Sequence, residues 1–216
     1  MSRSVFDPPF DSLPATLPIF PLTGALLLPG GRLPLNIFEP RYLAMVRDAL
    51  AADRLIGMVQ PREESSESPE IYGIGCVGRL VAFSETDDGR YLITLQGLIR
   101  FAWQEELALE KGYRRVVPLY DRFVADLQED EAEIDRPELL SALRSYFEAT
   151  GIDGDWDAIE QAPNEHLVTS LSMGCPFAPP EKQALLEAVT LGERSEVITT
   201  ILKMSAHAAR GPVIGN

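Results

Sequence analysis

The 216-residue sequence predicts an α+β fold, with strands in its first half and helices in its second. Between residues 17 and 120, short apolar runs rich in β-branched and aromatic residues alternate with proline and glycine turns, as is typical of strands. After residue 121, apolar residues recur every three or four positions, which indicates helices. We therefore divide the chain into an irregular proline-rich arm at 1–16, a β-rich subdomain at 17–120 and an α-helical subdomain at 121–216.

The proline-punctuated segment at 17–42 supplies the first elements. Short apolar runs predict strands at 17–20, 25–28 and 33–37, with a turn at 29–31. Pro40 suits the first position of a helix, because its missing N–H would have no partner there. Apolar residues follow it at helical spacing, so the helix should end near Asp53.

The rest of the first half also predicts strands. Residues 61–69 are polar and acidic and predict a loop. Asp88-Gly89 is a strong hairpin signal between two of the predicted strands. The composition of the intervening runs predicts strands at 55–60, 74–83, 91–96, 99–103 and 113–119.

The second half predicts five helices. Pro137 begins one and the segment after Asp153 begins a short second one. An acidic run extends over 126–135, and its part at 129–135 is most simply a solvated linker. Apolar stripes predict the remaining helices at 164–173, 181–189 and 194–208.

Charge and composition exclude several classes of partner. The net charge is −14, of which −3 belongs to residues 1–118 and −11 to residues 119–216. Such a surface repels phosphate, which argues against nucleic acid and against an anionic membrane. Cys76 and Cys175 lie far apart, as expected in a reducing compartment. With neither a signal peptide nor a long apolar run in the sequence, we expect a cytoplasmic protein.

Two patterns imitate ligand sites. Gly73, Gly75 and Gly78 match G-x-G-x-x-G, but the following residues continue as a strand, whereas a dinucleotide site needs a helix there. The pattern of Asp153, Asp155 and Asp157 matches the start of a calcium-binding loop. The glycine and the final glutamate that such a loop requires are missing from this sequence. We interpret the glycines as points of close backbone approach and the aspartates as helix caps.

No catalytic residue, metal ligand or cofactor is predicted. His166 and His207 have no histidine or cysteine partner at helical spacing, so zinc is not expected. The cysteines fit small core residues. The sequence contains neither the G-x-x-x-x-G-K-[ST] loop of ATPases nor the G-x-S-x-G elbow of hydrolases.

Several ordered motifs, found from about Leu17 to His207, resemble the N-terminal domain of Lon proteases. They are Leu17-Pro-Ile-Phe-Pro-Leu, Leu28-Pro-Gly, Leu33-Pro-Leu-Asn-Ile-Phe-Glu-Pro-Arg-Tyr, Gly75-Cys-Val-Gly-Arg-Leu-Val, Leu95-Gln-Gly-Leu-Ile-Arg-Phe, Leu171-Ser-Met and Pro176-Phe. The resemblance implies a PUA-like β pseudo-barrel followed by an α-helical bundle. In Lon this module recognises unfolded or tagged substrates, while separate ATPase and Ser-Lys peptidase domains act on them.

The resemblance therefore implies a non-enzymatic protein-binding module. Its partners would be unfolded or extended polypeptide segments, or one dedicated protein. Phe38, Arg41 and Tyr42 are the candidate binding residues at the mouth of a groove. In the alternative, structural interpretation, Glu39 caps its helix or pairs with Arg41 or another cation, while Tyr42 packs on the barrel.

Two other functions stay open at this point. PUA-like barrels often bind RNA, and Tyr113, Arg114 and Arg115 form the one compact basic and aromatic cluster of the sequence. A ligand-binding or hydrolytic pocket lined by carboxylates is the second alternative, since sequence cannot show which acids converge.

Overall fold

Six strands in the first half of the chain form one sheet that closes on itself. The structure is a computed structural model that describes residues 5–62, 69–128 and 133–210. The strands are β1 (Leu17–Pro21), β2 (Arg32–Ile37), β3 (Leu55–Val59), β4 (Ile74–Glu85), β5 (Tyr91–Glu110) and β6 (Tyr113–Leu119).

The strand order explains the closure. The order is β2-β5-β4-β3-β1-β6, and β6 pairs again with the second half of β5. Five strands thus form a barrel, while β2 pairs only with the first half of β5 and lies at the end of the order. The predicted α+β class and β pseudo-barrel are confirmed.

β5 corrects one prediction, because the strands expected at 91–96 and 99–103 are a single strand of 20 residues. Gly97 does not end it. Gly78 pairs with Gly97 while Val77 pairs with Ile99, so Leu98 is an extra residue on β5. This is a β-bulge, which bends a strand without ending it.

The strand predicted at 25–28 is wrong. The segment has no regular structure, although Leu26, Leu27 and Leu28 are all buried. A strand with one solvated face would alternate buried and exposed side chains. Here the backbone instead crosses the sheet, and the Leu28 carbonyl lies so close to Gly97 that a Cβ there would meet its oxygen at 2.0 Å.

Six α-helices and two 3₁₀-helices occur in the described residues. α1 packs on β1 and β6, and the other α-helices follow the barrel in the chain. The predicted helices are confirmed with small shifts at their ends. The α-helices are α1 (Pro40–Ala51), α2 (Arg136–Thr150), α3 (Trp156–Gln161), α4 (Asn164–Gly174), α5 (Pro179–Glu187) and α6 (Leu191–Ala209), and the 3₁₀-helices are Phe10–Ser12 and Asp121–Leu127.

Helix caps account for the acidic motif that imitates a calcium loop. The Asp155 carboxylate accepts a hydrogen bond from the Ala158 N–H at 3.0 Å. The Asp135 carboxylate accepts one from the Glu138 N–H at the same distance. Each carboxylate thereby satisfies an N–H that has no partner inside its helix.

The barrel and the helices share a hydrophobic core. Met45 of α1, Leu95 of β5, Val168 of α4 and Leu202 of α6 are fully buried in one cluster. A second cluster, with Phe101 and Val116 among its members, fills the remainder of the barrel. The division into subdomains at residue 121 stays a prediction, since the packing itself is continuous across that point.

Arg100 makes the main polar connection between barrel and helices. Its guanidinium pairs with Asp126 at 2.7 Å, and both side chains are almost completely buried. It also donates to the carbonyls of Leu186, Ala188 and Val189 at the end of α5. Asp126 is therefore a structural ion-pair partner, although the sequence places it in an acidic run.

Two sequence predictions concern segments that are mostly outside the described residues. They are the loop at 61–69 and the linker at 129–135, because residues 63–68 and 129–132 are not described. Among the described helices, none combines the length and the hydropathy that crossing a membrane requires.

Candidate functional site

A groove of about 400 Å³ lies at one end of the barrel, beside the connection from β2 to α1. The end of β1, the end of β2 and the turn between β5 and β6 form its walls. We call this surface the groove; it is lined by residues 20–23, 35–39, Arg41, Tyr42, 112–114, Pro61 and Pro69.

All three candidate binding residues line the groove. Tyr42 is 7% exposed and packs with its ring centroid 4.3 Å from that of Phe20. The Arg41 guanidinium lies 4.6 Å from the centre of the Tyr42 ring. Phe38 is 62% exposed, which is unusual for a ring of its size. The structure thus brings the three residues together, while their role in binding stays a prediction.

Glu39 pairs with Arg41 and does not cap α1. The Arg41 Nε donates to the Glu39 carboxylate at 2.9 Å, and no side chain caps the N-terminus of α1. Burial raises the pKa of Tyr42. The charge of Arg41 lowers this pKa by a smaller amount, and the charge of Glu39 raises it. The Tyr42 ring is therefore a neutral, apolar wall with a cation at its rim.

The basic and aromatic cluster at 113–115 is occupied by internal partners. Arg114 makes two 2.6 Å hydrogen bonds to the Glu106 carboxylate and donates to the Pro69 carbonyl at 2.8 Å. Arg115 pairs with Glu110 at 2.7 Å. Because each guanidinium already has a carboxylate beside it, this cluster is a poor site for phosphate.

Tyr113 is connected to α1 through Asp48. Its hydroxyl donates to the Asp48 carboxylate at 2.9 Å, and Lys111 Nζ donates to the same carboxylate at 2.6 Å. Burial and then this hydrogen bond raise the pKa of Tyr113 to about 12. The hydrogen bond from Lys111 is the main reason that the pKa of Asp48 is lowered.

A second cavity, of about 430 Å³, separates the start of β2 from α4. We call it the cleft; residues 30–34 line one side, and Glu165, His166, Thr169, Ser170, Met173 and Gly174 line the other. The Met173 thioether lies directly against the Gly31 backbone, where a Cβ would meet it at 2.2 Å. Sequence reasoning missed this cavity, because nothing in the sequence indicates that α4 packs opposite β2.

Among the described residues, neither cavity brings several carboxylates together. Of the described residues, Glu39 is the one carboxylate that lines the groove, and Glu165 is the one that lines the cleft. In the described ranges, no group of three histidine, cysteine or acidic residues is placed to hold a metal ion. His166 and Ser170 approach to 3.5 Å on the exposed side of α4, which is the ordinary separation of side chains one turn apart.

The cysteines and the glycine motif also have structural roles. Cys76 and Cys175 are buried, as predicted, and burial raises the pKa of both thiols, that of Cys175 to about 11. The glycine motif continues into β4 with no helix after it. A Cβ at Gly75 would meet the Met58 carbonyl oxygen at 2.5 Å, so this glycine permits close packing of β4 on β3.

The pattern of a known family matches almost the whole chain. Residues 16–204 match the ATP-dependent protease La (LON) substrate-binding domain. The chain is 30% identical over 209 residues to a Lon protease of Anaeromyxobacter dehalogenans, and the match covers 89% of this chain and 23% of that protein. Lon protease 2 of Myxococcus xanthus is also 30% identical, with 89% and 24% covered. The chain thus spans about a quarter of the length of these relatives.

Solved structures share the fold. The Lon N-terminal domain protein from Xanthomonas campestris superposes with a TM-score of 0.60 at 22% identity, covering 86% of this chain and 97% of that one. The N-terminal domain of a Mycobacterium avium complex Lon protease gives 0.56 at 15% identity, with 87% and 97% covered.

Proposed function

The chain belongs to the LON substrate-binding domain family, and on that premise we propose that its groove binds exposed apolar segments of extended polypeptides. The proposal assigns no catalytic step to these residues. Cys76 and Cys175 lie far apart in the sequence, and their thiols are free, which supports a cytoplasmic location. The closed barrel followed by helices is also consistent with a PUA-like architecture.

The observation that carries the proposal is the exposure of Phe38 at the rim of a groove whose walls combine aromatic rings with polar side chains. A large ring that stays 62% exposed adds nothing to the core, whereas covering it by a partner removes apolar surface from water. Tyr42 and Phe20 form a rigid aromatic wall beside it. Aromatic and arginine side chains of this kind are enriched at the centres of protein interfaces.

The groove also suits polypeptide better than RNA. Its two guanidinium groups, Arg41 and Arg114, are paired with Glu39 and Glu106, so a phosphate would have to displace a carboxylate. The net charge of −14 opposes nucleic acid over longer distances. An RNA site would give salt-sensitive binding to single-stranded RNA, and we expect none at low salt.

Binding of an unfolded basic protein tests the proposal. Reduced and alkylated ribonuclease A is the probe, and titration should give saturable binding to the wild-type chain. Phe38→Ala should weaken it about tenfold, since covering a phenyl ring contributes about 1.5–3 kcal/mol. Its thermal unfolding temperature should be unchanged, because the removed ring is mostly exposed.

Leu109→Ala is the matched control. Leu109 is 64% exposed, like Phe38, but lies in the second half of β5 and does not line the groove. Its removal should leave binding unchanged. The absence of saturable binding to the wild-type chain, or equal losses with Phe38→Ala and Leu109→Ala, would exclude the groove as the binding surface.

A further inference from the structure

One edge of β2 has no neighbouring strand in the described part of the chain. β2 ends the strand order and pairs only with β5. Gly97 N–H donates to the Gly31 carbonyl at 2.9 Å, so this carbonyl faces β5, while the Gly31 N–H donates to the Leu28 carbonyl. The N–H and carbonyl groups of successive residues point to alternate sides of a strand. Those of residues 33, 35 and 37 therefore also point towards β5, while those of residues 32, 34 and 36 point away from it.

Pro34 agrees with this assignment. Proline has no N–H to donate, and within sheets it is tolerated where that position faces away from the ladder. The side chains of Arg32, Pro34 and Asn36 are all exposed, so one face of β2 is open to solvent. Among the described residues, the backbone groups of these three residues make no hydrogen bond to a segment other than β5. The outward groups are thus the N–H and carbonyl of Arg32, the carbonyl of Pro34, and the N–H and carbonyl of Asn36.

The same edge connects the two cavities. Residues 30–34 line the cleft, and residues 35–39 line the groove. The six residues of β2 span about 20 Å at about 3.4 Å per residue. A polypeptide of similar length, extended along β2, would place one side chain at each cavity.

We propose that β2 is the template for strand addition by an extended segment of another protein, which places one apolar side chain in the groove and a second in the cleft. This inference rests on the proposed function and adds how the polypeptide is held. Unpaired N–H and carbonyl groups in a row recognise another extended backbone, whatever its sequence. The largely apolar cleft and the aromatic wall of the groove supply the selectivity, and Met173 on the cleft wall is a side chain that adapts to different shapes.

Charge defines the segment further. Residues 119–216 carry −11, and at the cleft Glu165 lies on the α4 side while Arg32 lies on the β2 side. A segment with lysine or arginine next to its apolar residues would be attracted to this half of the molecule. The partner is therefore an extended, basic segment with two apolar residues about six positions apart, which places both on the same face of the strand.

A pair of substitutions at one position tests the role of the backbone. Asn36→Pro removes an outward N–H and leaves the ladder to β5 intact, whereas Asn36→Ala keeps that N–H and changes only the side chain. The probe is a nine-residue peptide with leucine at position 2, phenylalanine at position 8, lysine at positions 1 and 3, and serine or threonine elsewhere. Asn36→Pro should weaken its binding about tenfold relative to Asn36→Ala, through the lost hydrogen bond and the poorer fit.

Peptide variants provide a test that leaves the protein unchanged. Methylating alternate backbone nitrogens of the probe should abolish binding in one of the two registers and leave it nearly intact in the other, because only every second N–H faces β2. Moving leucine to position 6 should weaken binding, since the two side chains no longer span both cavities.

The outcomes separate this inference from the proposed function. If the probe binds, is weakened by Phe38→Ala, but is insensitive to Asn36→Pro and to methylation in both registers, the strand addition is wrong and the groove stands. If the probe does not bind the wild-type chain but unfolded ribonuclease A does, the strand addition is wrong and the proposed function stands. If neither binds, both are wrong. A dimer in solution that Asn36→Pro dissociates would assign the edge to a second copy of this chain and overturn the inference.

Discussion

Arg100 and Arg41 each lie above an aromatic ring, but the two arginine–aromatic contacts differ in how far solvent reaches them. The Arg100 guanidinium lies 5.1 Å from the Phe123 ring centre, and its side chain is only 3% exposed. The Arg41 guanidinium lies 4.6 Å from the Tyr42 ring centre, and its side chain is 41% exposed. The first pair is enclosed between barrel and helices, whereas the second borders an open groove.

Their hydrogen bonds explain the difference. Arg100 donates to the Asp126 carboxylate and to three carbonyls at the end of α5, so its donors are taken up inside the fold. Arg41 pairs with Glu39, only two residues away in the sequence. An arginine that holds distant elements together supports architecture, while one with a local partner at a rim can be removed without separating any elements of the fold. The comparison predicts that stability resides at the first region and binding at the second.

Arg100→Leu should produce the largest loss of stability. It leaves the Asp126 carboxylate buried without its partner, and breaking a buried ion pair in this way costs about 3–5 kcal/mol. Urea unfolding followed by circular dichroism gives the free energy of unfolding. Lys203→Met is the control, since its pair with Glu138 is half exposed and should contribute less than about 1 kcal/mol. Equal effects of the two substitutions would remove the contrast between enclosed and open ion pairs.

Gly97→Ala should have an intermediate effect and tests how Leu28 crosses the sheet. A Cβ at residue 97 would lie 2.0 Å from the Leu28 carbonyl oxygen, so the backbone of one segment has to move. Overpacking of this kind costs about 1–3 kcal/mol. Gly73→Ala is the control, because a Cβ there meets nothing within 4 Å. The same unfolding assay should show a loss for Gly97→Ala only, and an unchanged Gly97→Ala would mean that Leu28 does not press on β5.

Asp48→Asn should have the smallest effect and sharpens the contrast at the groove. Hydrogen bonds from Lys111 and Tyr113 lower the pKa of Asp48 in the folded state. Its contribution to stability is therefore present above the unfolded pKa of about 4 and is lost as the pH falls through the lower, folded pKa. The pair is partly exposed, so the variant should lose at most about 1 kcal/mol at pH 7. That loss should shrink towards zero near pH 2, and a constant difference across this range would contradict the assigned ionisation.

Much of the fold was predictable from local patterns. Pro40 begins α1 as its chemistry requires, and apolar periodicity located the helices of the second half. The errors share one cause. Residues 25–28 look like a strand and Gly97 looks like a strand end, but both depend on Leu28 crossing β5, a contact between segments about 70 residues apart. Local composition carries no information about such a crossing.

The candidate site was predictable in part. Phe38, Arg41 and Tyr42 come from one segment, so their shared position in the groove follows from the β2–α1 connection. The cleft and the internal partners of the 113–115 cluster were not predictable. Arg114 looks free in the sequence, and only the register of β5 against β6 places Glu106 beside it.

Hydrogen exchange of individual amides tests the central claim most directly. NMR exchange rates are measured for the free chain and for the chain saturated with the nine-residue peptide. The amides of Arg32 and Asn36 face away from β5, so they should exchange rapidly in the free chain and slow at least about tenfold with peptide bound. Those of Leu33 and Leu35 already donate towards β5 and should change little. Saturation with peptide that leaves the Arg32 and Asn36 amides in rapid exchange would contradict the account.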